Sequence, residues 1–115
     1  MAFVIDEGHF RSEEDAYAEI ARMGWHALPR TFDLAQDSEL HWHDFNAVVF
    51  VLEGTAIIGF EDGSVQQCGA GARVTATAGM VHQELKGTNY RGIFGYDVDP
   101  GNRTLPINKP VAAIA

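Results

Sequence analysis

The apolar residues near the start of the chain follow a helical period. After Ser12 they recur every three or four positions, as on one face of an amphipathic helix, at Ala16, Tyr17, Ile20, Ala21 and Met23. Ser12 followed by Asp15 is similar to a capping box, and Gly24 is a residue type that commonly follows the last turn of a helix. The pattern predicts one short helix over residues 13–23 that covers part of a sheet.

From Trp25 onward the pattern changes to short apolar runs of the kind that form strands. Clusters of turn residues separate these runs, at positions 35–38, 53–54, 61–63, 69–71, 78–79 and 87–89. Such spacing is typical of a β-sandwich or barrel. We therefore predict an all-β barrel over about residues 25–98. Because 115 residues suffice for one hydrophobic core but not for two, residues 1–115 are expected to form a single domain.

One predicted strand requires cover on both of its faces. Residues 47–52 are apolar at six consecutive positions, whereas a strand with one face in water alternates apolar and polar residues. The outer face could be covered by the predicted helix or by a second copy of the chain. The sequence does not choose between them, and we take a homodimer as the preferred expectation.

The C-terminal tail, residues 99–115, differs from the strands before it. It contains Pro100, Pro106 and Pro110, and proline lacks the backbone N–H that a central strand must donate. We expect this tail to wrap the outside of the barrel or to be partly mobile.

Composition and charge narrow the class of protein. The chain is 46% apolar and 21% charged, and no apolar run approaches the roughly 20 residues that span a bilayer, so a globular protein with no membrane partner is expected. The first residues are acidic and lack the segments of a secretory signal, which favours a cytoplasmic location. Sixteen acidic residues against eight basic ones give a net charge of −8, the wrong sign for a nucleic-acid partner.

Cys68 is the only cysteine, and we expect it to be inert packing.

Three histidines are candidates for one metal site. His41 and His43 are two residues apart, so on a strand both side chains leave from the same face. A pair of this kind can also be two surface residues. His82 follows 39 residues after His43, behind several turns, and a return strand could bring it alongside the pair.

These residues resemble the two motifs of the cupins, which fold as small double-sheet barrels. The first motif corresponds to His41-Trp42-His43 followed by Gly54, and the second to Gly71, Gly79 and His82. The resemblance covers roughly residues 31–98, and the joint spacing is more specific than any single histidine. It implies a jelly-roll barrel in which His41, His43 and His82 bind one divalent transition metal.

The sequence also departs from the cupin pattern. The position of the usual ligand glutamate holds Ala47, and the alternative position holds Val48, neither of which can bind a metal. Ser38 stands near the expected leading glycine, Thr77 replaces a proline and Lys86 replaces an asparagine. The usual set of four ligands is therefore reduced to three histidines.

The expected metal and function follow from this reduced set. Three neutral imidazoles suit Fe, Zn, Ni or Cu better than Mg or Ca. Three-histidine cupins include thiol dioxygenases and a β-diketone-cleaving dioxygenase, so the resemblance implies an Fe(II)-dependent dioxygenase of a small chelating organic substrate. Three alternatives stay open: a metal-dependent isomerase, lyase or hydrolase, a non-catalytic ligand-binding module like those attached to transcription regulators, and a metal-independent cupin with vestigial histidines.

Two acidic residues share strand faces with the histidines. Period-two counting places Glu84 beside His82, and Glu39 beside His41, while Gln83 should point away. Glu84 could orient an imidazole, act as a catalytic base or supply a displaced fourth ligand, and the plain alternative is an exposed carboxylate at a strand end. Glu39 is the weaker candidate.

Other residues could form the ligand pocket. Apolar residues that could wall it are Phe45, Val49, Val51, Ile57, Phe94 and Tyr96, although such residues also fill barrels that bind nothing. Arg73 and Arg91 are candidates to clamp a substrate carboxylate. His9 and His26 are not assigned to the site.

Overall fold

The computed structural model describes residues 3–103 and 107–111 of the chain. Within these ranges nine strands form one antiparallel, strongly curled sheet, with one α-helix and a 3-10 turn at Pro100–Asn102. The elements in chain order are β1 (Phe3–Asp6), α1 (Glu13–Met23), β2 (His26–Asp33), β3 (His41–Trp42), β4 (Ala47–Phe60), β5 (Val65–Gly69), β6 (Arg73–Ala76), β7 (His82–Glu84), β8 (Asn89–Tyr96) and β9 (Lys109–Pro110). The mainly β architecture and the helix range are those that the sequence pattern predicts.

Strand β4 is the central element of the barrel. Its first part pairs with β6 on one side and with β8 on the other, and its second part pairs with β5 and β7. Strand β2 pairs along its whole length with β8. Because one 14-residue strand has partners in both halves of the sheet, the sheet curls around a shared interior.

The predicted turn at positions 53–54 is a bulge within β4 instead of a strand end. The pairing with β8 shifts register between Val51 and Glu53, and Gly54 adopts a positive φ of 92°. The extra residue reverses which side chains face inward. Val49 and Val51 line the interior before the bulge, whereas Ala56 and Ile58 line it afterwards.

The prediction of one wall residue is wrong because of the bulge. Ile57 does not line the cavity, because the phase reversal turns it away. The other predicted wall residues all line the cavity: Phe45, Val49, Val51, Phe94 and Tyr96.

Helix α1 covers the outer face of β4. The Ser12 hydroxyl accepts a hydrogen bond from the Asp15 amide at 3.1 Å, and Gly24 ends the helix in the left-handed conformation. The outer core cluster joins the helix and the preceding loop to the sheet through Phe10, Ala16, Ile20, Val48, Phe50 and Ile93. The outward residues of the apolar run are therefore covered by the helix of the same chain, and they give no reason to expect a second copy there.

The tail does more than wrap the barrel. Strand β9 pairs with β3 at an edge, where Pro110 is tolerated, and the Trp42 indole donates a hydrogen bond to the Pro110 carbonyl at 3.1 Å. Arg103 and Ile107 line the internal cavity. The tail thus forms part of the cavity wall. Pro106 lies outside the described residues.

Candidate metal centre

His41 and His82 are brought together by direct pairing of two short strands. His41 in β3 is the register partner of His82 in β7, and their ring centroids are 4.6 Å apart. Both residues are buried, with 4% and 6% of their surface exposed. The return strand inferred from the sequence is therefore β7, and it places His82 of the second motif beside His41 of the first motif.

His43 completes the cluster from just beyond the end of β3. Its ring centroid is 5.1 Å from that of His41 and 5.4 Å from that of His82. One ligand nitrogen from each of the three rings lies within 4.8 Å of the others. His43 also stacks on Phe45, at 4.9 Å between centroids, which fixes the plane of its ring.

Backbone carbonyls occupy the Nδ1 side of all three rings. His41 Nδ1 lies 2.7 Å from the Glu39 carbonyl oxygen, and His82 Nδ1 lies 3.0 Å from that of Met80. His43 Nδ1 lies 2.8 Å from the carbonyl oxygen of Ile107 in the tail. Because a carbonyl oxygen only accepts hydrogen bonds, each Nδ1 must donate, and each neutral ring keeps its lone pair on Nε2.

Burial keeps two of the rings, His43 and His82, neutral. It lowers the pKa of His43 to about 4, although the hydrogen bond to Ile107 acts in the opposite direction. Burial also lowers the pKa of His82. At neutral pH these two imidazoles therefore carry the lone pair that a metal ligand needs.

Glu84 extends from β7 to the same point. Its Oε2 lies 3.5 Å from His41 Nε2, and its Oε1 lies 3.7 Å from His82 Nε2. The Ser38 hydroxyl donates a hydrogen bond to Glu84 Oε2 at 3.0 Å and accepts one from the Glu84 amide at 2.9 Å. Ser38 therefore holds the carboxylate toward the rings from the loop before β3.

The donor set fits a divalent transition ion. In a tetrahedral site with metal–ligand bonds of about 2.1 Å, ligand atoms lie about 3.4 Å apart, close to the separations between Glu84 and the two rings. Nitrogen donors with one carboxylate suit Fe, Mn, Zn, Ni or Cu better than Mg or Ca, which prefer oxygen ligands. His41, His43 and His82 are the residues that could hold the ion, and Glu84 lies beside two of them.

Several predicted candidates lie elsewhere. The side chain of Glu39 is exposed, and this residue serves the site only through its carbonyl. Gln83 points away from the rings, as predicted, and donates a hydrogen bond to the Ser38 carbonyl at 2.7 Å. His9 pairs with Glu19 at 2.7 Å, and His26 is exposed on β2.

The two arginines predicted as carboxylate clamps are engaged outside the cavity. Arg73 forms ion pairs with Asp6 and Glu19, and Arg91 forms ion pairs with Glu13 and Glu53. Neither lines the cavity. A guanidinium that already holds two protein carboxylates has little capacity for a ligand, so this interpretation of Arg73 and Arg91 is wrong.

A cavity of about 260 Å³ occupies the barrel interior beside the histidines. Its wall is mostly aromatic and aliphatic, and its polar residues include His43, His82 and Glu84. Ala47, at the position where the cupin pattern has a glutamate, also lines it. The candidate metal centre therefore opens onto a space large enough for a small organic molecule.

The sequence reasoning missed Ser38, Arg30 and Arg103, all of which line the cavity. For Arg30 a signal was available, because it shares a strand face with the apolar residues Leu28 and Phe32. Ser38 and Arg103 lie in irregular segments, where no period shows the direction of a side chain.

Comparison with known proteins shows the fold. No family model and no curated protein matches the sequence. A DUF861 family protein from Thermotoga maritima is 18% identical, with a TM-score of 0.55 over 81% of this chain and 97% of that one. An RmlC-like cupin protein from Desulfovibrio desulfuricans is 18% identical, with a TM-score of 0.50 over 83% and 81%. Oxalate decarboxylase from Bacillus subtilis, which has Mn(II) centres, is 17% identical, with a TM-score of 0.55 over 74% and 23%.

These likenesses confirm the predicted fold class, the all-β jelly-roll barrel of the cupins. The resemblance inferred from the spacing of histidines and glycines is confirmed at the level of the fold and of the three-histidine cluster. In the described part of the chain no helix is long and apolar enough to span a membrane.

Proposed function

We propose that this protein is a metal-dependent enzyme acting on a small organic molecule, with the ion bound by His41, His43 and His82. The observation that carries the proposal is the grouping of three histidines whose ligand atoms lie within 4.8 Å of one another. Each ring has its Nδ1 against a backbone carbonyl, and His43 and His82 line a cavity of 260 Å³. Three histidines that only packed the barrel would not need matching tautomers.

Glu84 takes the place of the glutamate that the cupin pattern has at Ala47. Its two carboxylate oxygens lie 3.5 and 3.7 Å from the Nε2 atoms of His41 and His82, and Ser38 holds it in that position. The carboxylate thus enters from β7 instead of β4. The same carboxylate, 26% exposed, is also the group best placed to move a proton to or from a ligand in the cavity.

When bound, a divalent transition ion would supply Lewis acidity and, if it is iron, the capacity to activate dioxygen. The chain itself positions a substrate against the rings, excludes water with its aromatic wall and holds one carboxylate at the reacting end. An Fe(II)-dependent dioxygenase is the reaction class that we propose first.

A lyase or isomerase is the second candidate. The partly exposed Glu84 carboxylate favours it, because proton transfer at a substrate carbon needs a base that the substrate can reach. One of the proteins of similar fold is an oxalate decarboxylase, and decarboxylation is a lyase reaction. Oxygen consumption separates the two candidates.

The test of the metal site is elemental analysis of tag-free protein after dialysis against an equimolar mixture of Fe(II), Mn(II), Zn(II) and Ni(II) under nitrogen. We expect about one ion per chain in the wild type and in His26→Ala, a matched control on β2. We expect less than a tenth of that in His41→Ala and His82→Ala. Equal metal content in all four proteins would falsify the metal site.

The role of Glu84 is tested by moving the carboxylate. Glu84→Gln should weaken metal retention at least tenfold, and the double variant Ala47→Glu/Glu84→Gln should recover most of it, because position 47 lines the same cavity. Retention by Glu84→Gln at the wild-type level contradicts the ligand role.

The reaction class is tested with an oxygen electrode on the iron-loaded protein and a panel of small organic acids and diketones. Substrate-dependent oxygen uptake that is absent from His41→Ala supports the dioxygenase. Conversion of a substrate without oxygen uptake supports the lyase or isomerase. Binding without conversion of any compound identifies the protein as a non-catalytic ligand-binding module.

A homodimer and a cytoplasmic location stay predictions from the sequence. The apolar run that favoured the dimer is covered by helix α1, so the remaining support for self-association is a few exposed apolar side chains: Val4, Tyr17, Met23 and Val65. Light scattering at several protein concentrations measures the oligomeric state.

A further inference from the structure

Arg30, an exposed residue of β2, lines the ligand cavity. Its Cζ lies 4.7 Å from the ring centroid of Phe32 and 5.3 Å from that of Phe94, and Nη1 donates a hydrogen bond to the Tyr96 hydroxyl at 3.4 Å. Contact with aromatic faces holds the group in place and leaves N–H bonds at its edge for an acceptor in the cavity.

Arg103 lines the same cavity from the tail. Its Cζ lies 4.7 Å from the ring centroid of Tyr96, and Nε donates a hydrogen bond to the Pro100 carbonyl at 3.2 Å. Among residues 3–103 and 107–111, no hydrogen bond or ion pair is made by the two terminal nitrogens of this guanidinium. Tyr96 therefore lies between two arginines, with its hydroxyl bonded to Arg30 and its ring beneath Arg103.

Within residues 3–103 and 107–111, neither Arg30 nor Arg103 has a carboxylate partner within ion-pair distance. This is notable in a chain with sixteen acidic residues and a net charge of −8, where Arg73 and Arg91 each hold two carboxylates. Two cations without counter-ions on the wall of one cavity provide a site for an anion, and guanidinium pairs well with carboxylate.

We propose that Arg30 and Arg103 bind the carboxylate of the ligand, so that the cavity takes a small monocarboxylic acid with an apolar body and a donor group at its other end. This inference rests on the proposed function, because it takes the cavity beside the histidines as the ligand site. The volume limits the ligand to about ten non-hydrogen atoms, by scaling from a 150 Å³ cavity that holds benzene. The aromatic wall receives the apolar body, and the negative charge of Glu84 in the same cavity disfavours a second anionic group.

The test compares acids with their neutral amides on metal-free protein, so that the metal cannot bind the carboxylate. Calorimetric titrations use benzoate, phenylacetate and 4-hydroxybenzoate, each against the matching amide. In the wild type we expect at least one acid to bind tenfold or more tightly than its amide, since hydrogen bonds to charged groups contribute about that factor or more.

The variants are Arg30→Gln, Arg103→Gln and the double variant, with Arg22→Gln as a matched control in the last turn of α1, away from the cavity. The double variant should bring the acid and amide affinities within twofold of each other while it still binds the amide, which also shows that the cavity has folded. Arg22→Gln should keep the wild-type ratio.

Two outcomes overturn the assignment of Arg30 and Arg103 as the anion site. In the first, no acid of the panel binds more tightly than its amide. In the second, the preference for the acid survives in the double variant. Metal content is measured on the same preparations, so a failure of the metal site and a failure of the arginine pair are read separately. Phenyl phosphate, included as a further probe, should bind more weakly than phenylacetate, and tighter binding would overturn the choice of carboxylate.

Discussion

Each histidine of the candidate centre has its tautomer set by a carbonyl oxygen of the backbone. For His41 and His82 that oxygen lies two residues earlier in the chain, so the contact is local and forms with the strand. For His43 it belongs to Ile107, 64 residues away. The orientation of His43 therefore depends on correct docking of the tail, whereas the other two rings depend mainly on β3 and β7.

Cys68 illustrates how burial changes the chemistry of a single side chain. The thiol is buried in the core, and burial raises its pKa to about 11, with a smaller contribution from Glu7. Since the thiolate is the reactive form, Cys68 should be inert at neutral pH, in agreement with its predicted role as packing.

We expect iodoacetamide at pH 8 to label Cys68 of the folded protein at least a hundredfold more slowly than Cys68 of the urea-unfolded protein. The reason is that about one thiol in a thousand is ionised at three pH units below the pKa. Mass spectrometry of timed samples measures both rates. Similar rates for the two states would show that the thiol is neither buried nor protonated.

Among the elements, β4 depends most on one backbone position. Gly54 directly follows the bulge and adopts a φ of 92°, and a Cβ there would overlap the Asn89 carbonyl oxygen in β8. The bulge reverses the side-chain phase of β4 and so decides that Ala56 and Ile58, and not Ile57, line the cavity.

Gly54→Ala should reduce the free energy of unfolding by more than about 2 kcal/mol, because strain from positive φ adds to the overlap with β8. Gly63→Ala is the matched control: φ is 86°, but nothing lies within 4 Å of the added Cβ, so only about 1 kcal/mol should be lost. Urea unfolding followed by circular dichroism measures both. If both variants lose the same free energy of unfolding, the close approach of Gly54 to β8 does not add to the cost of the substitution.

The attachment of helix α1 to the barrel has an electrostatic part. Partial burial raises the pKa of Glu19, but hydrogen bonds from His9 and Arg73 outweigh this effect and hold the pKa below its ordinary value of 4.5. A carboxyl whose pKa is lowered by folding stabilises the folded state above the pKa of the unfolded chain. That stabilisation is lost as the pH falls through the lower pKa of the folded state.

Glu19→Gln should therefore destabilise the protein at pH 7, and the difference from the wild type should shrink as the pH falls below about 4.5. Because Glu19 is partly exposed, we expect no more than about 1 kcal/mol. Urea titrations at a series of pH values give the two curves. A difference that stays constant down to pH 3 would contradict the electrostatic role of Glu19.

At the scale of the whole molecule, the candidate centre joins parts of the chain that are distant in sequence. The three histidines come from β3, from the residue that follows it and from β7, and the tail supports His43. An ion held by these groups binds the folded state alone, so its binding free energy adds to the stability of the fold.

Saturation with Zn(II) should raise the melting temperature of the metal-free protein by about 10 °C, since a ligand at 100 times its Kd contributes about 2.7 kcal/mol. His82→Ala should show no such rise, and Mg(II) should have no effect on the wild type. Differential scanning calorimetry measures the shift. An equal rise in His82→Ala would indicate that zinc binds elsewhere.

Local features of the sequence predict the helix, the shared face of two histidines and the fold of this protein. Capping at Ser12 and Gly24 limits helix α1, and the period of two places His41 and His43 on one face. The spacing of histidines and glycines predicts the cupin barrel. The helix limits and the shared face depend on neighbours within a few residues. The fold prediction depends on the spacing of residues along the sequence, which can be counted without a structure.

Which charged groups face the cavity depends on contacts between distant parts of the chain. Arg73 and Arg91 are paired with carboxylates from distant segments, while Arg30 and Arg103 are left without such partners in the part of the chain described here. Glu84 reaches the rings because a loop serine holds it there, and the β4 bulge turns Ile57 away from the cavity. The physical reason is that ion pairs, bulges and the docking of the tail depend on contacts between residues far apart in sequence, which no local period encodes.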